Sequence, residues 1–362
     1  WHEVSIIKID LTCRTTHDTA ISTKKWFPYN KGGLVRRWYG NNEYVINWKN
    51  DGEEIRNLAP KSVIRNPEWY FQPSITWSDI TIDSAFRLQD AGFVFANSAH
   101  SAFCENTEDR LKILGVLNST IAEKFVGVLS QSLHFDVGYF NILPFPTKQP
   151  VLNAIKIVEE LVALARSDWD DYEVSWGFQR HSLLEKHSNN LFHSFDERSK
   201  TCDSRARRCF ELEQENDKSA LQAYGLTESL VGAFPAAKVL CQRSDRSAES
   251  ISFVSYAVGC MMGRYSLDEP GLIYAHAGNV GFDASRYTTF PADADGIVPI
   301  SDELWFEDDA TNRVREFLNV VWGTDTLEEN MDWLAESLGK KGSETPEETI
   351  RRYLSCSFYK DH

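Results

Sequence analysis

The change of hydrophobic period near residue 105 is the feature that most constrains the fold. In EYVINW (43–48), Tyr44, Ile46 and Trp48 alternate onto one face, which is typical of a half-buried strand. In residues 108–131, apolar side chains instead recur at the three- and four-residue spacing of an amphipathic helix. A strand-forming part followed by a helix-forming part predicts the α+β class.

Turn residues divide the first hundred positions into short strands. Asn50-Asp51-Gly52 is a hairpin-type turn signal after the first of them. WYFQPSITW (69–77) is aromatic and β-branched, but Pro73 predicts an edge or broken strand. A third strand, GFVFANS (92–98), follows another turn.

A proline-rich segment, YFNILPFPTKQP (139–150), separates the two parts. Each proline pushes the residue before it out of the helical region, so the segment is extended and forms a natural boundary. VLNAIKIVEELVALAR (151–166) then predicts a helix, and TLEE (326–329) and TPEE (345–348) have the capping-box spacing. We therefore predict a β-rich domain at 1–150 and a mainly α-helical C-terminal domain at 151–362.

The composition indicates a globular, cytoplasmic protein. Of the 362 residues, 42% are hydrophobic, and no apolar run approaches the 18 or so needed to cross a membrane. Seven scattered cysteines without C-x-x-C spacing argue against a disulfide framework or a zinc site. The formal net charge is -15, with 15 Asp/Glu against 7 Lys/Arg between residues 301 and 362.

One segment, KKWFPYNKGGLVRRWYGN (24–41), is purely cationic and rich in aromatics. Lys and Arg neutralise DNA phosphates, and Gly32-Gly33 allows close backbone approach. Asn30 or Asn41 has the side-chain chemistry to pair with an adenine edge. The alternative is that the aromatics are core residues and the charges form a solvated rim.

Known catalytic patterns are incomplete in this sequence. NPEW (66–69) resembles the tetrapeptide of amine-directed methyltransferases, but Glu68 replaces its second proline and no glycine-rich loop precedes it. The metal-binding E-x-K or D-x-K triplet of restriction-type nucleases does not occur in the sequence. We therefore expect a binding and architectural chain with no catalytic residues, cofactor site or metal site of its own.

Residues 24–56 resemble the C-terminal portion of the PglX family, the adenine-specific DNA methyltransferases of bacteriophage exclusion (BREX) systems. Five further stretches carry the same resemblance: ITWSDI (75–80), LGVLNSTIAEKF (114–125), VSYAVGCMMGRYSLDEPGLIYA (254–275), FPADADGIVPISDELWFEDD (290–309) and SFYKDH (357–362). The resemblance implies that a catalytic domain binding S-adenosylmethionine lies upstream of Trp1 and that the family sequence continues past His362. Residues 1–150 also resemble, more loosely, the specificity domains of type I restriction systems, through an LNS helix (117–119) and an LPFP exit (143–146).

These resemblances imply a target-recognition domain that contacts double-stranded DNA through loops of its β-rich part. Family members that recognise different target sites share the segment at 24–41. A shared segment suits contact with phosphates better than readout of bases, so its lysines and arginines are assigned mostly to phosphate. The predicted DNA contacts are Lys24, Lys25, Tyr29, Asn30, Lys31, Arg36, Arg37 and Asn41, followed by Thr76, Ser78 and Arg87.

Two alternatives concern protein partners. The acidic tail, 151–362, suits docking of other BREX proteins better than contact with DNA. A phage protein that mimics DNA would need the same cationic residues as DNA itself, so the sequence does not separate these two ligands.

Overall fold

Two three-stranded sheets form the β-rich part of the computed structural model. It describes residue 4 and residues 8–80, 85–130, 132, 134–146, 153–185, 188–227, 232, 234–235, 241–275 and 280–361. The first sheet has the order β2-β1-β5 and the second the order β4-β3-β6. The strands are β1 (Trp26–Asn30), β2 (Tyr44–Asn47), β3 (Ser74–Ser78), β4 (Arg87–Gln89), β5 (Val94–Phe95) and β6 (Ala99–Ala102).

Helices make up most of the remainder, so the chain is mixed α+β as the change of period predicts. The α-helices are α1 (Thr16–Ile21), α2 (Lys49–Arg56), α3 (Thr107–Leu117), α4 (Thr120–Leu129), α5 (Val137–Asn141), α6 (Asn153–Asp170), α7 (Leu191–Tyr224), α8 (Arg246–Met261), α9 (Ala310–Trp322), α10 (Leu327–Ser337), α11 (Pro346–Cys356) and α12 (Phe358–Asp361).

One strand prediction is wrong, and a second is correct about a break at Pro73 but wrong about an edge position. Residues 50–52 do form a turn with positive φ, but it leads into the rest of α2, and the strand partner of β2 is β1, upstream of it. The strand after Pro73 is central in its sheet, not at an edge. Pro73 precedes the first residue of β3, so the missing N–H costs the strand no hydrogen bond.

The helix predicted at 108–131 is interrupted at Asn118. The Asn118 side chain pairs with the backbone of Phe86, donating to its carbonyl at 2.9 Å and accepting from its N–H at 3.1 Å. Ser119 then caps α4 by accepting from the N–H of Ala122. The LNS triplet therefore ends one helix, begins the next and fastens both to the sheet.

The tail helices follow their sequence signals closely. Thr345 and Glu348 form the predicted capping box of α11. Thr326 forms no cap hydrogen bond; its hydroxyl donates to the carbonyl of Trp322 and accepts from the side-chain N–H of Asn330. Helix α8 packs in the core of the tail against Phe317.

A shared hydrophobic cluster joins the two predicted domains. Trp38 and Trp77 of the β-rich part pack in it with Leu114 of α3, Leu161 of α6 and Leu212 of α7. The division into 1–150 and 151–362 stays a prediction, and the boundary between residues 150 and 151 lies outside the described residues. Helices α6 and α7 nevertheless pack in the same core as the sheets.

Candidate nucleic-acid interface

The two arginines at the centre of the predicted cationic segment are held by internal ion pairs. Arg37 is buried, with its Nη2 2.8 Å from Glu213 on α7, and it also donates to the carbonyl of Asn118. Arg36 is partly buried, with its Nη2 2.5 Å from the buried Asp168 on α6. These guanidinium groups join the segment to the helical part, so their assignment to DNA phosphate is corrected.

Five more predicted DNA contacts are buried inside the β-rich part. Asn30 donates to Thr76 at 2.8 Å, and the Thr76 hydroxyl donates to the carbonyl of His100 at 2.9 Å. Burial also lowers the pKa of Arg87 to about 10. Side chains that are buried or already paired do not reach a DNA groove, which removes Asn30, Asn41, Thr76, Ser78 and Arg87 from the candidate contacts.

The remaining four predicted residues reach solvent or a cleft. Lys25 is exposed, 3.9 Å from Glu54, and Lys24 is partly buried. The exposed Lys31 places its Nζ 5.0 Å from the ring centroid of Tyr44. Tyr29 is partly buried, and burial raises the pKa of its hydroxyl. DNA contact by these four residues stays a prediction.

An aromatic cleft of about 810 Å³ opens between the two sheets. One wall is a face of the first sheet, which presents Tyr29, Ile46 and Trp48. Trp69 also lines the cleft; this residue is 47% exposed, and its ring stacks on Phe103 with centroids 4.7 Å apart. The volume and the aromatic lining are those of a binding cleft.

Two cations flank this cleft without carboxylate partners among the ion pairs of the described residues. Arg65 lines the cleft and donates to the side-chain oxygen of Asn97 at 3.3 Å. Lys31 lies beside it, because strand alternation puts Tyr44 on the same sheet face as Ile46. An exposed, unpaired cation is free to neutralise a phosphate.

Sequence reasoning missed Arg65, Trp69 and Asn97. NPEW (66–69) resembles a methyltransferase motif, and Glu68 excludes it from a search for cationic, aromatic segments that contain no acid. Asn66 adopts a left-handed conformation with φ 50° and leads into a short 3₁₀ helix, so it serves as a turn residue. The sequence signal that remains is a cation close to an aromatic residue, Arg65 with Trp69, which appears only when an acid is allowed between them.

Two histidines and one aspartate lie at another part of the cleft wall. One carboxylate oxygen of Asp79 is 3.3 Å from His100 Nε2, and the other is 3.2 Å from His134 Nδ1. Neither these three side chains nor any other group of His, Cys, Asp and Glu among the described residues has an arrangement that could hold a metal ion. These contacts tie the end of β3 to the segment that precedes α5.

Within the described ranges, no helix has both the length and the apolar character needed to span a membrane. No protein-family model matches the chain. The fold and the cleft define an α+β protein with a candidate binding site in its β-rich part.

Two curated proteins resemble the chain over its whole length. Adenine-specific methyltransferase BrxX of Escherichia coli O9:H4 (strain HS) is 36% identical over 399 aligned residues. Adenine-specific methyltransferase PglX of Lacticaseibacillus casei (strain Zhang) is 36% identical over 377. Both matches cover 100% of this chain and 31% of the relative, at its C-terminal part. The whole chain therefore matches the C-terminal part of two adenine-specific methyltransferases, as the sequence resemblance predicts, and spans about a third of their length.

Proposed function

We propose that this chain is the DNA-recognition and positioning part of a BREX adenine-specific DNA methyltransferase. The observation that carries the proposal is the match of the entire chain to proteins named as adenine-specific methyltransferases. It holds the duplex so that an upstream catalytic part flips out one adenine and methylates its exocyclic amine. S-adenosylmethionine belongs to that upstream part, and the enzyme works in the cytoplasm.

Charge distribution supports the β-rich part as the DNA-facing side. Residues 301–362 carry a strong excess of carboxylates, which repel a polyanion. Lys31 and Arg65 instead flank an aromatic cleft and keep their charges unpaired among the described ion pairs. Lys25 lies in the same part of the molecule, with only a 3.9 Å ion pair to an exposed glutamate.

A salt titration of duplex binding tests the proposal. The double variant Lys31→Gln/Arg65→Gln loses two phosphate partners, so the slope of log affinity against log salt becomes shallower by about 2. Lys341→Gln/Lys360→Gln is the matched control, because it removes the same charge from two exposed tail residues. Fluorescence anisotropy with a labelled duplex measures both slopes.

The proposal fails if both double variants keep the slope of the parent chain. It also fails if the slope becomes shallower by the same amount in both. The first result means that the cleft cations do not meet phosphate. The second result means that duplex binding depends on the net charge of the chain and not on the position of the cleft cations. Arg36 and Arg37 are unsuitable for this test, because replacing either removes a partner from an internal ion pair.

A further inference from the structure

Two cysteine side chains meet where α7 contacts the segment that precedes α8. The sulfur of Cys209, on the buried face of α7, lies 2.6 Å from the sulfur of Cys241. Cys209 is buried, Cys241 is partly buried, and both are free thiols. Because the two sulfur atoms are already in contact, a small rotation of either side chain brings them to bonding distance, without the backbone movement that distant cysteines require.

Contacts on both sides keep these two sulfur atoms together. The backbone N–H of Gln242, next to Cys241 in the chain, donates to the buried carboxylate of Asp168 on α6 at 3.0 Å. The Gln242 side chain accepts from the hydroxyl of Tyr172 at 2.6 Å. On the other side, α7 packs against α6 in the shared hydrophobic cluster. Tertiary contacts therefore hold Cys241 against α7.

The described surroundings of the pair leave little room for another ligand. A cavity of about 10 Å³ adjoins Cys209 and Cys241 and is lined also by Arg36, Asp168 and Glu213. That volume holds about one water molecule. Thiolates and carboxylates can bind a metal ion, but no group of His, Cys, Asp and Glu among the described residues has an arrangement that could hold one. Bonding between the two sulfurs is the chemistry that this geometry favours.

We propose that Cys209 and Cys241 form a reversible disulfide when the chain meets hydrogen peroxide. The bond joins α7 to residues 241–245, beside the ion pair of Arg36 with Asp168. The scattered spacing of the seven cysteines argues against a disulfide framework, but a single bond across a tertiary contact needs no regular spacing. The proposal concerns the helical part of the chain, so it does not depend on DNA binding at the aromatic cleft.

The reaction consumes one peroxide and two thiols. The first sulfur loses its proton, attacks one oxygen of the peroxide and breaks the O–O bond. This step gives a sulfenic acid, and the departing hydroxide takes the thiol proton and leaves as water. The second sulfur then attacks the first and breaks its S–O bond, which releases a second water with the second thiol proton. The two thiols lose two electrons to the peroxide, and a small thiol reductant reverses the bond by exchange.

Burial assigns the two steps to the two sulfurs. Cys241 reaches solvent, so the peroxide meets it first, and the buried Cys209 then closes the bond. A hydrogen bond with Cys209, together with burial, raises the pKa of the Cys241 thiol. Since the thiolate is the reactive form, oxidation is slow at neutral pH and accelerates as the pH rises. The bond therefore forms under sustained oxidation.

Peptide mapping of the 362-residue chain tests the bond directly. After treatment with hydrogen peroxide, the remaining thiols are alkylated and the chain is digested with trypsin without a reductant. Mass spectrometry should find the peptide CFELEQENDK (209–218) joined to VLCQR (239–243), and a thiol reductant should separate them. The linked peptides should form faster at about pH 9 than at about pH 7.

Two variants separate this bond from general oxidation of cysteines. Cys202→Ala removes another buried cysteine of α7 and should leave the linked peptides unchanged. Cys241→Ala should abolish them. In the parent chain, oxidation should raise the urea midpoint by about 1 M, because the bond constrains two residues that are 32 positions apart in the unfolded chain. Peroxide should not raise the midpoint of Cys241→Ala.

The proposal is overturned if peroxide yields no linked peptides, or if it converts the two cysteines to sulfinic or sulfonic acids instead. Linkage of Cys209 or Cys241 to another cysteine, or between two chains, also overturns it. An unchanged or lower urea midpoint in the oxidised parent chain contradicts the fastening of residues 241–245 to α7.

Discussion

Asp168 holds the cationic segment to the helical part, and Asp168→Asn tests that role. The buried carboxylate accepts from Arg36 Nη2 at 2.5 Å and from Arg205 Nη1 at 3.3 Å. It also accepts from the backbone N–H of Gln242 at 3.0 Å. Asparagine keeps the shape of the side chain and one acceptor oxygen but removes the negative charge from between two arginines.

The expected loss in the free energy of unfolding follows from the partners that Arg36 and Arg205 keep in the variant. Arg205 still pairs with Asp171 at 2.6 Å, whereas Arg36 keeps only the carbonyl of Tyr39 and the ring of Trp169. Removing one partner of a buried ion pair costs about 3–5 kcal/mol. With one arginine still paired, the free energy of unfolding should fall by about 3 kcal/mol, at the lower end of that range.

Urea unfolding followed by tryptophan fluorescence measures this loss. At a slope of about 3 kcal/mol per molar urea, the midpoint falls by about 1 M. Asp332→Asn is the matched control, because Asp332 forms an exposed pair with Lys340 at 3.0 Å, whose loss costs at most about 1 kcal/mol. Equal midpoints for the two variants would refute the structural role of Asp168.

Three further stability predictions follow from the described contacts. Leu161→Ala empties a fully buried site in the cluster shared by sheets and helices, and calorimetry should show a loss of about 2–5 kcal/mol. Thr345→Ala removes the capping box of α11 and should cost about 1 kcal/mol, whereas an unchanged melting temperature contradicts the cap. Burial raises the pKa of Glu213 to about 7 from an ordinary value of 4.5. Between these values the folded chain holds a proton that the unfolded chain releases, so stability falls as the pH rises, and the Arg37 guanidinium limits the size of this fall. Glu213→Gln should remove that component of the pH dependence, and parallel stability–pH curves for parent and variant would show the idea to be wrong.

Periodicity and composition predict much of the fold because they act locally. The switch from alternating to helical spacing identifies the strand-rich first part, and the cap at Thr345 follows from four residues. The break at Asn118 is different. Asn118 and Ser119 are residue types that end and cap helices, but the backbone of Phe86, to which Asn118 binds, is distant in the sequence, so the helical spacing within residues 108–131 does not identify the break.

In the candidate site, too, reasoning from neighbouring residues does not identify charged partners that are distant in the sequence. Residues 24–41 contain no acid, yet the carboxylates that pair with Arg36 and Arg37 come from helices more than a hundred residues away. Counting the charges within one segment therefore overstates how many of its cationic side chains are free to contact a ligand. Lys31, from the same segment, keeps an exposed charge because its neighbour in space is the ring of Tyr44.

Hydrogen exchange of the 362-residue chain with and without duplex DNA tests the central claim most directly. At about 50 mM salt, DNA should slow exchange in residues 29–31, 44–48, 63–70 and 95–101, which surround the aromatic cleft. Residues 302–308 of the acidic tail should exchange at the same rate in both states. Protection confined to residues 153–361, with none around the cleft, would contradict the account.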